Sequence, residues 1–333
     1  MSVAYWLKYK KPLLKIALLD SQALGEGASG RNAGFLTKGS LSFYEHLTHT
    51  WGQLAAEDIF HFAQESIDLL ASHLSCSDFL PTSSYTLYST KRDFHFPGFE
   101  RVAPLWVQAQ DCFRAAGEIS INPMVLLTKL EDVVSQQGVE IFRGVECLRL
   151  AGKTVHTNMG EMEGGEVVIA LNGYTASLLA EPITPARAQM LCVDLHQKLN
   201  IAGLVYEPES RVYFKSIASH RLVIGGKRLI DKDNEETSLL AVNFKIQQAL
   251  LDYVTARLGT IKSIQGQWSG IMGFSADELP LLEKRKDYYL IGGFSGHGMG
   301  LGFNASRNLS DMMIDNKTSF FHSIRTRCRD HKA

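Results

Sequence analysis

Two glycine-rich stretches and one acid carry the chemistry this sequence offers. Gly25–Leu36 reads GEGASGRNAGFL, Gly292–Gly302 reads GGFSGHGMGLG, and Asp20 closes the apolar run LKIALLD. Glycines let backbone approach a ligand without a side-chain clash, and their N–H groups can then meet negative charge. An acid at a strand end accepts hydrogen bonds from ribose hydroxyls. His297, inside the second stretch, exchanges a proton near neutrality when unperturbed. Residue type alone leaves plainer roles open: Asp20 also suits a helix cap, Arg31 a solvated surface, and His297 one hydrogen bond that orients a turn.

Gly25, Gly27 and Gly30 spell G-x-G-x-x-G. That fingerprint requires a strand before it and, roughly 20 residues after it, a strand ending in Asp or Glu. The region near residue 50 reads FYEHLTHTWGQL and supplies no such strand. The acid that fits, Asp20, precedes the glycines, so the match is accidental on pattern alone. Counting back roughly 20 residues from Asp20 puts the expected phosphate loop at or before Met1. The first strand and that loop are therefore expected to be missing.

The elements that must position these residues are partly legible. Residues 2–10 read as a helix stopped near Pro12, and 14–20 as a buried parallel strand. A helix is expected over 53–74, with Leu54, Ile59, Phe62, Ile67, Leu70 and Leu74 on one side, and a strand over 84–90. Asn122 as cap, Pro123 in the first turn and Gly138 as stop delimit a helix over 122–138. VEIFRGVECLRL and GGEVVIALNGY follow as strands. From 186 the character changes to short β segments, RAQMLCVDL, RVYFKSI, RLVIGGKRL and IKSIQGQWSGIMGF, interrupted by one helix near 236–258. An antiparallel sheet inserted into an α/β domain has this pattern.

A chain of 333 residues suits one or two joined domains, and 45% hydrophobic with 21% charged residues suits an ordinary globular protein. The formal net charge of −1 gives no global attraction to nucleic acid or acidic membrane. No apolar run reaches the roughly 20 residues a bilayer span needs. Five scattered cysteines, with no C-x-x-C pair, favour reduced thiols and a cytoplasmic location.

Several separated segments resemble the FAD-dependent amine and amino-acid oxidoreductases, the family that includes D-amino-acid oxidase, glycine oxidase and gamma-glutamylputrescine oxidase. SVAYWLK resembles the helix after their phosphate loop, IALLD their second strand, and GASGRNAGFL their second flavin loop. VVIALNGYT with PARAQML, WSGIMGFSADELPLLE and GGFSGHGMGLG continue the resemblance in order over nearly the whole chain. It implies an α/β fold: an FAD-binding Rossmann-like domain of the glutathione-reductase type, carrying an inserted antiparallel β-sheet substrate domain. The expected division is 1–80, 119–185 and 279–325 for FAD, and 81–118 and 186–278 for substrate.

The resemblance also implies roles. Asp20 would accept the ribose hydroxyls, and Val145 would pair with adenine through its backbone. Gly27, Ala28, Ala33 and Gly34 would let the cofactor approach, while Ser29, Arg31 and Asn32 would supply donors. Asn172 and Gly173 would end a strand beside FAD. Gly293, Phe294, Ser295, Gly296, His297, Gly298 and Met299 would form the flavin-edge turn, with His297 as candidate acid or base. No metal is implied. Gly270 and Ile271 stand where one branch attaches its flavin to cysteine, so FAD should be non-covalent. The carboxylate-binding cations of the glycine-oxidase and sarcosine-oxidase branches are missing near Trp268 and at Gly300, which points to a larger amine. Lys227 and Arg228 suit either a flavin-facing or a solvated strand end. The implied reaction is hydride transfer from the carbon beside nitrogen to flavin. The resulting imine hydrolyses, and oxygen or another acceptor reoxidises the flavin. Two alternatives stay open: a non-catalytic remnant that has lost FAD, and a tRNA-modifying flavin oxidase.

Overall fold

The structure, a computed structural model, describes residues 1–92, 96–103, 109–201 and 203–330. Helix α1 (Ser2–Lys10) leads into β1 (Ile16–Asp20), the short α2 (Ala28–Arg31) and β2 (Phe35–Leu36). Helices α3 (Leu41–Trp51) and α4 (Gln53–Leu74) follow, then β3 (Leu80–Tyr88), β4 (Glu100–Arg101), β5 (Asp111–Ser120), α5 (Pro123–Gln136) and β6 (Val139–Arg143). A small meander of β7 (Cys147–Ala151), β8 (Thr154–Thr157) and β9 (Gly160–Glu163) precedes β10 (Val168–Ile169). Next come β11 (Thr184–Leu195), β12 (Leu204–Glu207), β13 (Val212–Ala218) and β14 (Arg221–Gly226). The chain ends through α6 (Lys232–Glu235), α7 (Phe244–Arg257), β15 (Ile261–Phe274), β16 (Leu281–Lys284), β17 (Tyr289–Gly292), α8 (Gly298–Asp315) and α9 (Phe320–Asp330).

Strands β1 and β6 pair in parallel with Asp20 opposite Arg143. Strand β10 lies parallel to β17, which pairs antiparallel with β16. The dominant sheet has nine strands in the order β15-β11-β14-β13-β12-β3-β5-β2, with β4 added on β5. This sheet curls. Strands β13 and β5 stand three spacings apart, about 14 Å if flat, yet the Lys215 ammonium reaches the Ser120 hydroxyl at 3.1 Å and the Ile121 carbonyl at 2.9 Å. One face of the sheet buries Leu191, Val193, Val205, Phe214 and Ile224 against Ile246, Leu250 and Val254 of α7. A second core joins α3, α4, α8 and α9 around Leu41, Ile59, Ala63, Leu301 and Phe321. Helices α1 and α5 close a third around Trp6, Leu36, Leu126 and Leu130. No helix among the described residues is long and apolar enough to cross a membrane.

Local signals explain the well-anticipated elements. Asn122 caps α5 by accepting the Met124 N–H, with Pro123 at the first position. Helix α4 buries Ile59, Phe62, Ile67, Leu70 and Leu74, but Leu54 is exposed. Three expectations change. Strand β1 is not buried: Ile16 and Leu18 pack inward while Ala17 is exposed. The helix expected from 236 begins at Phe244, because Asn243 caps it by accepting the N–H of Lys245 and Ile246. Lys227 and Arg228 lie beyond the strand: β14 stops at Gly226, Lys227 has φ 61°, and Arg228 opens a 3-10 turn.

Candidate active site

Strand β15 draws the two glycine stretches together. Its Trp268 indole N–H donates to the Arg31 carbonyl at 2.9 Å. Two residues on, the backbone of Gly270 packs on Arg31 and Ala28. Further along, the Gly273 carbonyl accepts the Ser295 N–H at 2.8 Å, and Phe274 bridges to Phe294. The Asn172 side chain accepts the Gly293 N–H at 3.0 Å, and Gly173 abuts the Met272 carbonyl. The segments 27–34, 172–173 and 293–299 thus share one region. Two glycines there are compulsory. A Cβ on Gly34, at φ +72°, would fall 1.8 Å from the Ile121 carbonyl oxygen, and one on Gly300 would fall 1.9 Å from that of Thr37.

Helix α8 starts at this region with no side-chain cap on its N-terminus. The N–H groups of Gly298, Met299 and Gly300 have no intrahelical acceptor, and with the helix dipole they favour negative charge. Beside them, His297 stacks on Phe43 with ring centroids 3.6 Å apart. Its Nδ1 lies 3.1 Å from the Ser295 carbonyl, which only accepts, so Nδ1 carries the proton and Nε2 a lone pair. Burial pushes the His297 pKa down to about 4, against the Ser295 bond, and nearby His46 lowers it further. The expectation of easy proton exchange near neutrality therefore changes: the imidazole is neutral at pH 7.

Facing the turn is the sheet surface opposite α7. Cross-strand partners share a face, and the registers place Trp268, Met190, Gly225, Tyr213, Tyr206 and Thr86 in one row across it. The Tyr206 hydroxyl interacts with Ser42. The Arg228 guanidinium lies 4.9 Å over the Phe274 ring. Burial lowers its pKa, and no carboxylate among the described residues forms an ion pair with it.

Some anticipated donors are committed elsewhere. Arg31 pairs with Glu26, donates to the Glu26 carbonyl at 2.7 Å, and reaches the Ser269 carbonyl at 3.4 Å. The Asn32 amide donates to the Ala28 and Ser29 carbonyls and accepts the Gly34 N–H at 2.7 Å. Both side chains brace the loop, while Ser29 is exposed. Asp20 and Val145 form a separate group at the C-terminal ends of β1 and β6. The Val145 N–H is spent on the Asp20 carbonyl at 3.1 Å, which leaves only its own carbonyl for a ligand. A groove of about 510 Å³ between α4 and α8, lined by Asp58, Glu65, Asn304 and Phe320, contains none of the anticipated residues.

Sequence reasoning missed Lys215. Its buried ammonium meets no carboxylate among the described residues, donates to Ile121 O, Ser120 Oγ and, at 3.4 Å, Gly34 O, and burial pushes its pKa down to about 8. The available signal was its position two residues after Tyr213, in phase with the face towards the glycine loop. Tyr206 and Phe43 were also missed.

The pieces that FAD needs are recognisable here: uncapped helix N–H groups, a glycine loop without room for side chains, and a half-exposed acid at a parallel strand end. Comparison with known proteins agrees. The chain is similar to "Probable oxidoreductase OrdL" of Rhizobium meliloti, 22% identical, covering 91% of this chain and 78% of that protein. Its fold matches glycine oxidase from Geobacillus kaustophilus with TM-score 0.76 at 16% identity, covering 96% of this chain and 92% of that one. It matches L-proline dehydrogenase from P. horikoshii with TM-score 0.74 at 15% identity, covering 95% and 91%. Residues 1–312 match the sequence profile described as "FAD dependent oxidoreductase", DAO. With the glycine loops, the α8 N-terminus and the curled sheet in the family's arrangement, the chain belongs to the DAO family of FAD-dependent oxidoreductases, and its cofactor is FAD.

Proposed function

We propose that this protein oxidises the C–N bond of a small amine or amino acid, giving an imine that hydrolyses. The observation that carries this reading is the uncapped N-terminus of α8, set by β15 against the sheet face that holds Tyr206 and Tyr213, with Arg228 in the 3-10 turn beyond β14 over Phe274. FAD, when bound, supplies the hydride acceptor. The α8 N–H groups favour the negative charge that reduction places nearby. His297, neutral with its lone pair on Nε2, accepts a hydrogen bond from the substrate nitrogen rather than storing its proton. Arg228, half-buried and without an ion pair among the described residues, suits an anionic group on the substrate. This replaces the missing cations near Trp268 and brings amino acids back beside larger amines. Met190, Met272 and Tyr213 exclude water from the reacting carbon. The segments 1–80, 119–185 and 279–325 would hold FAD, and 81–118 and 186–278 the substrate. Oxygen or another acceptor completes the cycle.

Arg228→Met tests the substrate half of this proposal. The KM for carboxylate-bearing amines should rise roughly tenfold or more, while neutral amines change little. An equal effect on both sets would remove Arg228 from the substrate site. FAD should leave with the supernatant on acid precipitation, because Gly270 and Ile271 offer no thiol. Colour retained in the pellet would contradict non-covalent binding.

A further inference from the structure

The acid assigned to the ribose is not alone. Asp20 Oδ2 lies 2.5 Å from Nη1 of Arg143, its register partner on the parallel strand β6. Nη2 of the same guanidinium lies 2.7 Å from Glu131 Oε1, on α5. Asp20 Oδ1 accepts the Gln22 N–H at 3.1 Å, and the Asp20 carbonyl accepts that of Val145. Asp20 and Arg143 are both only partly exposed. Three elements therefore converge on one carboxylate: β1 carries it, β6 grips one oxygen, and α5 holds the gripping group from behind.

A carboxylate that must accept two ribose hydroxyls gains from being fixed before the ligand arrives, because the ordering cost is then already met in the free protein. A half-exposed aspartate without a partner samples several rotamers. Arg143 removes that freedom at Asp20. One arm of the planar guanidinium holds Oδ2 while the other is held by Glu131, and the Gln22 N–H fixes Oδ1. We propose that Arg143, anchored by Glu131, is a positioning residue for the adenosine half of the dinucleotide, acting through Asp20. This rests on reading Asp20 as the ribose acceptor.

The test titrates the full chain with three probes: FAD, ADP-ribose, which carries only the adenosine end, and FMN, which lacks it. Arg143→Met should weaken FAD and ADP-ribose roughly tenfold and leave FMN unchanged. Arg143→Lys should recover part of the loss. In the Asp20→Asn background Arg143→Met should add almost nothing, since both remove the same arrangement. Additive losses would mean that Arg143 acts independently of Asp20 and would overturn the proposal. So would unchanged ADP-ribose affinity in Arg143→Met while Asp20→Asn weakens it, an outcome that leaves the ribose role of Asp20 standing. If Asp20→Asn changes neither probe, that role fails and the proposal with it. Should Arg143→Met not fold, Glu131→Gln carries the test: its ADP-ribose affinity should fall about threefold with FMN unchanged, and no change would overturn the anchoring.

Discussion

At the scale of single residues, protonation decides what His297 and Lys215 can do. The His297 pKa of about 4 lies below the ordinary 6.5, so between those values the unfolded chain binds more protons than the folded one. His297 contributes no penalty above pH 6.5, and stability falls as pH drops from there towards 4. His297→Phe should remove that part of the slope in pH-dependent melting; an unchanged slope would mean that the ring is solvated. In flavin reduction, His297→Ala should cost roughly tenfold, the size of one hydrogen bond, and the rate should show no ionisation of His297 near 6.5. Lys215, lowered from 10.5 to about 8, has the same sign in another window. Stability should rise from pH 8 to 10.5, by roughly 3 kcal/mol at most. Lys215→Met should flatten that rise. Neither shift was legible in the sequence, because the causes come from distant segments: Phe43 packs on His297, and Ile121 and Gly34 enclose Lys215.

Among the elements, those with their own punctuation were readable and those held by distant partners were not. Asn122, Pro123 and Gly138 delimit α5 locally, and the period of apolar residues gives α4. The segment 232–243 instead answers to β11. There Arg187 donates to Glu235 at 2.7 and 3.1 Å and to the Leu239 and Asn234 carbonyls, while Gln189 donates to Glu235. Glu235 is wholly buried. Arg187→Met would leave that carboxylate buried without its cation, at a cost of about 3–5 kcal/mol. Thermal unfolding measures it, and a loss under 1 kcal/mol would show that the segment is held by other contacts. The same dependence on distant partners hid the fate of Arg31 and Asn32. Their types announced donors, but the turn of GASGRNAGFL uses those donors on itself.

For the whole molecule, order along the chain was more informative than any single motif. Strand, glycine loop, inserted sheet and returning glycine turn occur in the order expected. The structure closes them through β15, which touches the first loop at Arg31 from Trp268 in its middle and the last at Ser295 from Gly273 near its end. What the order could not give is the curl of the nine-stranded sheet, which sets Lys215 against the glycine loop, or the turn after β14 that places Arg228 over Phe274. These contacts follow from sheet twist and non-local pairing, which leave no periodic trace in the sequence. The central claim is that this assembly lets an amine reduce bound FAD. Anaerobic stopped-flow absorbance of the FAD-loaded protein, mixed with a panel of glycine, sarcosine, D-alanine, L-proline and gamma-glutamylputrescine, tests it directly. The expected result is bleaching of the oxidised flavin band by at least one amine, at a rate that saturates with concentration. Flavin that is bound and reduced by dithionite, yet left oxidised by every amine in the panel, would contradict it.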